Sequence, residues 1–375
     1  MCGITGIYAF NEIGRMFAIN LQAANDAIHH RGPDFGRLFV EYRAGLGHHR
    51  LSILDLSPDG HQPMTDPSGR YTISFNGEIY NFKQLRQQLA NQGVGFQSTG
   101  DTEVLLQLYI HEGEKCLEKL NGFFSFAVYD KEEESLFLAR DRMGIKPLVY
   151  YLDEDKFAFS SEMKSLLAYK IPTEVDYTSV YQYFQLNYIP APATIFKNVY
   201  KLMPGHFMKV RKGEPVEPKQ FYQIPFEENQ SYKGVPSYEN AQKRLLELLE
   251  ESVSSRMVSD VPLGAFLSGG IDSSTIVALA AKQTPHLNTF SIGYKNEPMF
   301  DETKYAKLVA DMYQTNHTVF TLTNDDFYDN IFRLLDGYGE PFADSSQISV
   351  YILSQRVKEQ ATVALAGDGA DEICA

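Results

Sequence analysis

Leu267-Ser268-Gly269-Gly270-Ile271-Asp272-Ser273-Ser274 decides how the second half of this 375-residue chain folds. The run Leu263–Leu267 before it predicts a strand, and Ser273–Lys282 after it a helix. Main-chain N–H groups and a helix dipole therefore converge on the turn and make an anion cradle. Two adjacent glycines let the backbone approach a phosphate, and the hydroxyls of Ser268, Ser273 and Ser274 add donors. A Walker-type loop with its lysine is absent, so γ-phosphate transfer of that kind is excluded. Glycines, hydroxyls and one carboxylate suit a pyrophosphate, with Mg²⁺ bridging through Asp272.

The pattern around the turn is regular. An amphipathic helix, Tyr238–Met257, precedes it. Strand Thr289–Tyr294, helix Glu302–Tyr313, strand Thr318–Leu322, helical stretches Asp325–Leu335 and Ser345–Gln360, and strand Thr362–Ala366 follow. Such alternation predicts a parallel α/β sheet that binds ligands at the carboxyl ends of its strands. A second carboxylate turn, Gly367-Asp368-Gly369-Ala370-Asp371-Glu372, follows the last strand. Asp272 and Asp371 should then meet at one edge as a metal site for Mg²⁺.

The first 160 residues read differently. Strand-like runs occupy Gly3–Phe10, Gly45–Leu54, Tyr71–Phe75, Phe124–Tyr129, Leu136–Arg140, Leu148–Tyr151 and Lys156–Ser160, with helices expected at Met16–His29, Gln84–Asn91 and Thr102–His111. Many short strands with few helices predict stacked antiparallel sheets with helical outer layers. The overall class is α/β: an N-terminal α+β domain over 2–190, a proline-rich connecting region over 191–236, and a parallel α/β nucleotide-binding domain over 237–375.

Composition narrows the chemistry. The net charge is −14 and no block of Lys or Arg occurs, which argues against nucleic acid or an anionic membrane as partner. Cys2, Cys116 and Cys374 form no CxxC pair, and this sparse set suits a reducing cytoplasm. No basic leader followed by an apolar core opens the chain, and no run approaches 18 apolar residues, so a cytoplasmic protein is expected.

Cys2 stands next to the initiating methionine. Removal of Met1 would put a thiol and an α-amino group on one residue. A free α-amino group has a pKa of about 7.7–8.0 and can take the thiol proton without a histidine partner.

Further runs complete the picture: Arg31-Gly32-Pro33-Asp34, Gly47-His48-His49-Arg50-Leu51-Ser52-Ile53, Gly60-His61-Gln62-Pro63-Met64, Asn76-Gly77-Glu78-Ile79-Tyr80-Asn81, Ser98-Thr99-Gly100-Asp101-Thr102-Glu103 and Asp141-Arg142-Met143-Gly144-Ile145-Lys146-Pro147-Leu148. In this order, with Cys2 and the glycine loop, they resemble the glutamine-dependent asparagine synthetases over nearly the whole chain. The resemblance implies an N-terminal-nucleophile, class II amidotransferase domain. Cys2 would be its nucleophile, and Asn76 and Gly77 its oxyanion donors. Arg50 would clamp the glutamine α-carboxylate, Glu78 and Asp101 would hold the α-amino group, and Leu51 and Ile53 would line the pocket.

In the second domain the resemblance implies ATP-dependent adenylation of aspartate, with Mg²⁺, followed by displacement of AMP by ammonia. Leu267, Ser268, Gly269, Gly270, Asp272, Ser273, Ser274, Ile292 and Gly367 would bind ATP, and Asp368 takes the place of an acidic residue of the acyl-adenylate step. Glutamine, aspartate and ATP are the implied partners, and a homodimer is compatible with them. Cys116 and Cys374 match no such role and read as packing thiols. The family's synthetase domain continues well past its second carboxylate turn. The expectation is therefore a complete glutaminase half and a shortened synthetase half, from a longer gene product or a broken reading frame. Two other readings remain open: an acceptor other than aspartate, such as a sugar acid, and a glutaminase or pseudo-enzyme without synthetase activity.

Overall fold

A computed structural model describes residues 1–225, 237–295 and 297–370. Contacts divide the chain into two units. The first is Met1–Pro225 with Gly339–Ala343; the second holds the described residues of 237–338 and 344–370.

The strands of the first unit are, in chain order, β1 (Gly3–Ala9), β2 (Phe35–Val40), β3 (Ala44–Arg50), β4 (Met64–Thr65), β5 (Tyr71–Ile79), β6 (Gly122–Asp130), β7 (Ser135–Arg140), β8 (Val149–Leu152), β9 (Lys156–Ser160), β10 (Val199–Lys201), β11 (His206–Arg211) and β12 (Lys219–Gln220). They form two six-stranded sheets, ordered β10-β8-β9-β1-β3-β2 and β12-β11-β7-β6-β5-β4. All pairs within them are antiparallel.

Side-chain alternation fixes the layering. On β7, Leu136 and Leu138 join Ile4, Tyr8 and Leu46 in the core between the sheets. The intervening Phe137 and Ala139 face out, packing with Leu85, Leu89, Val104, Leu105 and Leu108 of two covering helices, Phe82–Asn91 and Asp101–Glu112. On the other outer face, Ile7 and Ala158 meet Leu21, Ala24 and Leu166. The result is a helix–sheet–sheet–helix stack, and its strands read as continuous apolar runs because both their faces are buried.

Three expectations need correction. Met16–His29 is not one helix: Glu12–Phe17 and Leu21–Asp26 are separate six-residue helices joined by a 3₁₀ turn. Met16 and Ile19, which extend the apolar pattern, are 74% and 84% exposed. The strand from Gly45 ends at Arg50, since the Asp34 carboxylate takes the Ser52 N–H at 2.8 Å and Asp55 takes that of Ser57 at 3.1 Å, turning the chain away. Within 191–236, the presumed connector, β10–β12 complete the edges of both sheets, so its prolines mark turns between short edge strands. Residues 226–236 lie outside the described residues.

The second unit contains β13 (Leu263–Phe266), β14 (Asn288–Tyr294), β15 (Asn316–Leu322) and β16 (Val363–Leu365), a parallel sheet ordered β15-β14-β13-β16. Ala265, Leu267, Val277, Ala306 and Leu365 form the core of one face. Phe290, Leu353 and Val357, with Phe266 and Phe320, form that of the other. Helices therefore cover both faces, as a parallel sheet requires. Among the described residues no helix is long and apolar enough to cross a membrane.

Candidate active site

In the first unit the register Gly3↔His49 between β1 and β3 sets Cys2 beside Arg50. The Cys2 thiol donates to the Leu51 carbonyl at 3.6 Å, and Arg31 Nε holds the Cys2 carbonyl at 2.9 Å. Ile53 follows, half-buried, in the loop after β3. Asn76 and Glu78 share one face of β5. Between them Gly77 admits no side chain, since a Cβ there would lie 2.2 Å from the Phe123 carbonyl oxygen.

Arg50 is buried and fixed. Its guanidinium donates to the carbonyls of Ser57 (3.1 Å), Leu54 (3.0 Å) and Asp55. Among the described residues three of its five N–H groups are so engaged. Gly60 makes room for the guanidinium: a Cβ there would sit 2.2 Å from Arg50 Nη2. Asp101 opens the helix Asp101–Glu112, and its Oδ2 accepts the Ile79 N–H at 2.9 Å. Glu103 steadies the approach to that helix by accepting the N–H groups of Gln97 and Ser98 at 3.0 and 2.7 Å.

The charges are set against one another. Burial pushes Asp101 up to about 6, although the N–H groups of Ile79 and Thr102 and the Arg50 guanidinium pull it down. Burial, and then the neighbouring Asp101 carboxylate, raise Glu78 well above the usual carboxylate range. Two carboxylates crowded this way are short of a cation. Burial also raises the Cys2 thiol, against the Leu51 contact and the chain's N-terminal charge. The thiol is therefore protonated at neutral pH. The Asn76 side-chain amide is buried, and neither its nitrogen nor its oxygen has a partner among the described residues.

In the second unit the loop after β13 closes on itself. Ser268 and Ser273 hydroxyls meet at 2.9 Å, the Ser268 hydroxyl accepts the Gly270 N–H at 3.2 Å, and the helix Ile271–Ala281 begins directly after. Gly269 has φ +89°, and a Cβ there would strike Tyr305 Cβ at 2.5 Å. The Ser274 hydroxyl is buried without a partner among the described residues. β16 pairs with β13 and delivers Gly367 against Asp272, where an added Cβ would lie 3.0 Å from Asp272 Cβ. Asp368 follows, exposed. The Leu267 N–H is bonded to Phe290 at 2.8 Å and its carbonyl accepts the Ser291 hydroxyl, so only a second lone pair of that carbonyl is open to a ligand. Ile292 lines a cavity of about 540 Å³ at the ends of β14 and β15, with Tyr294, Thr323, Ser345 and Ser346. Asp371 and Cys374 lie outside the described residues, and among those described no three metal-binding side chains cluster. A nucleotide-borne Mg²⁺ needs only one or two carboxylates beside phosphate oxygens, a role that Asp272 fits.

Residues 1–222 match the glutamine amidotransferase domain family, and 244–375 match the asparagine synthase family. The chain belongs to the glutamine-hydrolysing asparagine synthetase family. A Methanocaldococcus jannaschii protein designated an inferred asparagine synthetase (glutamine-hydrolyzing) is 38% identical over 402 residues, covering 100% of this chain and 75% of its own length. Asparagine synthetase (glutamine-hydrolyzing) 1 of Bacillus subtilis is 35% identical over 375 residues, covering 100% of this chain and 58% of its own. For the third such B. subtilis protein the figures are 33% over 391 residues, 100% and 62%. The chain thus spans from 58% to 75% of the length of these relatives.

Family motifs without an assigned role act as scaffolding around this site. Gln62 accepts the Phe75 N–H at 2.7 Å and donates to Thr102 at 3.2 Å, tying β5 to the helix that carries Asp101. His48, 0% exposed, contacts the Phe75 carbonyl at 3.0 Å, and burial lowers it to about 3, so it stays neutral. Cys116 is a core thiol. Sequence reading did not single out Arg31 or Lys146, although both stand in quoted motifs; the structure brings them to the chain start, at the Cys2 carbonyl and Met1 Sδ.

Proposed function

We propose that the first unit hydrolyses glutamine at Cys2 and that the ammonia serves ATP-dependent amidation of aspartate through an aspartyl-adenylate. The reading is carried by a buried group of complementary valences. Among the described residues two Arg50 N–H groups are unbonded, Glu78 and Asp101 make no ion pair, and the Asn76 amide lacks a partner. These match, in turn, the α-carboxylate, α-ammonium and developing oxyanion of a free amino acid with a side-chain amide.

With Met1 removed, the Cys2 amine takes the thiol proton as sulfur attacks the glutamine Cδ. Asn76 Nδ2–H and Gly77 N–H donate to the oxyanion. Collapse of the tetrahedral adduct breaks the C–N bond; the amine returns the proton to the leaving nitrogen, and water then cleaves the thioester to glutamate. In the second unit, Ser268–Ser274 and Gly367 would cradle the ATP phosphates, and Ile292, Leu267 and Asp368 would stand around the adenylate. Mg²⁺ would neutralise charge on the pyrophosphate, held by Asp272 and by Asp371.

Glutamate release from glutamine, measured beside the intact mass of the protein, tests the first half. Release is expected only from protein lacking Met1, and Cys2→Ala should reduce it to background; undiminished release by that variant would refute it. For the second half, Mg·ATP should bind this chain and bind more weakly to Asp272→Asn. Equal binding by the two would remove Asp272 from the site.

A further inference from the structure

The loop 141–147 is built more firmly than a surface connection needs. The Asp141 carboxylate, 1% exposed, accepts the N–H groups of Phe124 (3.2 Å), Met143 (3.1 Å), Ile145 (3.0 Å) and Lys146 (2.9 Å). Its carbonyl accepts those of Gly144 and Gly205. The Arg140 guanidinium donates to the carbonyls of Gly144 (2.6 Å), Lys146 (2.8 Å) and Leu202 (2.5 Å). Lys146 is thus tied through both its N–H and its C=O, and its stem is buried at 9% exposure. Its ammonium reaches the chain start, 2.9 Å from Met1 Sδ, a weak acceptor that would leave with Met1.

We propose that Lys146 is a positioning residue of the glutaminase site, whose ammonium, fixed at the chain start beside Cys2, steadies the Cys2 thiolate and favours the carboxylate form of Glu78 that receives the substrate ammonium. The inference rests on the glutaminase reading. Lys156 shows what a structural buried lysine does in this fold: it pairs with Asp153 at 2.6 Å. Among the described residues Lys146 makes no such ion pair. It stands instead among groups that act on it at longer range: Glu78 from β5, Cys2 at the head of β1, Arg31 from the turn His29–Arg31, and Asp141 on its own loop. The N-terminal charge and Asp101 complete the set through Cys2 and Glu78. Free glutamine is a zwitterion and leaves the net charge of this group unchanged: its α-ammonium and Lys146 would face Glu78 and Asp101, while Arg50 would face the α-carboxylate. Burial lowers Lys146, and Glu78 and Cys2 act against that, so the ammonium form depends on the partners it serves.

The sign of the effect follows. Loss of the positive charge raises Glu78 and Cys2 further, so both ionise at higher pH. In processed full-length protein, Lys146→Met should move the acid limb of glutaminase kcat/KM up by about one pH unit and raise KM for glutamine about tenfold at pH 7. The difference should narrow by pH 8.5. The pH at which iodoacetamide alkylates Cys2 should move up with it, and Lys146→Arg should restore both profiles. A merely structural role would lower activity equally at all pH values, and an unmoved limb or alkylation profile overturns the proposal. Should Lys146→Met not fold, NMR of ¹³Cε-labelled lysine in Glu78→Gln gives the answer. The Lys146 midpoint must fall when the carboxylate is neutralised, and an unchanged midpoint refutes the link. Absence of glutamate release by the unsubstituted protein, by contrast, would defeat the glutaminase reading itself.

Discussion

The proposed glutamine pocket of the first unit is assembled from five separate stretches of chain, whereas the phosphate loop of the second is a single arc of backbone. In the first, Cys2, Arg50, Asn76, Glu78, Asp101 and Lys146 come from strand ends and loops that two stacked sheets bring together, and their charges are already desolvated. In the second, Ser268–Ser274 are local, largely solvated and bonded mainly to each other. A site that buries two carboxyl groups side by side holds strain against folding that its ligand relieves. A loop of glycines and hydroxyls holds little and waits for the ligand to bring charge.

That difference can be broken by substitution. Asn76→Ala should lower glutaminase kcat on the order of 100- to 1,000-fold with KM for glutamine little changed, because an oxyanion donor acts mainly in the transition state. Steady-state kinetics would show the reverse split if Asn76 served ground-state binding. Asp101→Ala should instead raise KM, about 10- to 100-fold, as expected for loss of a buried charge-assisted contact.

The pH dependence sharpens it further. With Asp101 at about 6 and Glu78 raised, protons compete with the substrate ammonium as pH falls, so the acid limb of kcat/KM should lie at or above pH 6. A decline centred near 4, the ordinary carboxylate range, would mean the pair is not desolvated.

The smallest effect is on stability. A carboxylate raised by burial is destabilising above its unfolded pKa, and that cost disappears as pH falls and the group takes up its proton. Glu78→Gln should therefore raise the thermal midpoint of the ligand-free protein at pH 7.5 by about 2–4 °C, as expected for roughly 1 kcal/mol in a domain of this size. The gain should shrink at pH 5. Asp272→Asn, on the solvated loop, should leave the midpoint within about 1 °C. Equal shifts from both would erase the contrast.

Much of this was legible from residues alone, for identifiable reasons. From Tyr238 onward, local periodicity and glycine turns coincide with the elements formed, so the expected strand Thr318–Leu322 is β15 with two further residues at its start. The motifs carrying Cys2, Arg50, Asn76 and Asp101 are legible because each is a compact run of unusual residue types. What escaped depends on distant partners. β10–β12 are two to six residues long and exist as strands only through pairing: β10 with β8, β11 with β7, and β12 with β11. The break at Ala18–Asn20 hides behind apolar residues that face solvent. Lys146 looks like any loop lysine until Asp141 and Arg140 fold the loop and aim it at a residue 145 positions away.

The central claim is that Glu78 and Asp101 form a buried carboxyl pair that an arriving ammonium drives to its ionised form. Calorimetry of glutamine binding to processed Cys2→Ala protein at pH 6, in buffers of different ionisation enthalpy, tests it most directly. An arriving ammonium should lower both carboxylates, so binding should release protons, less at pH 8 than at pH 6, and the release should vanish in Glu78→Gln/Asp101→Asn. Binding with no proton exchange at pH 6, or with proton uptake, would contradict the claim.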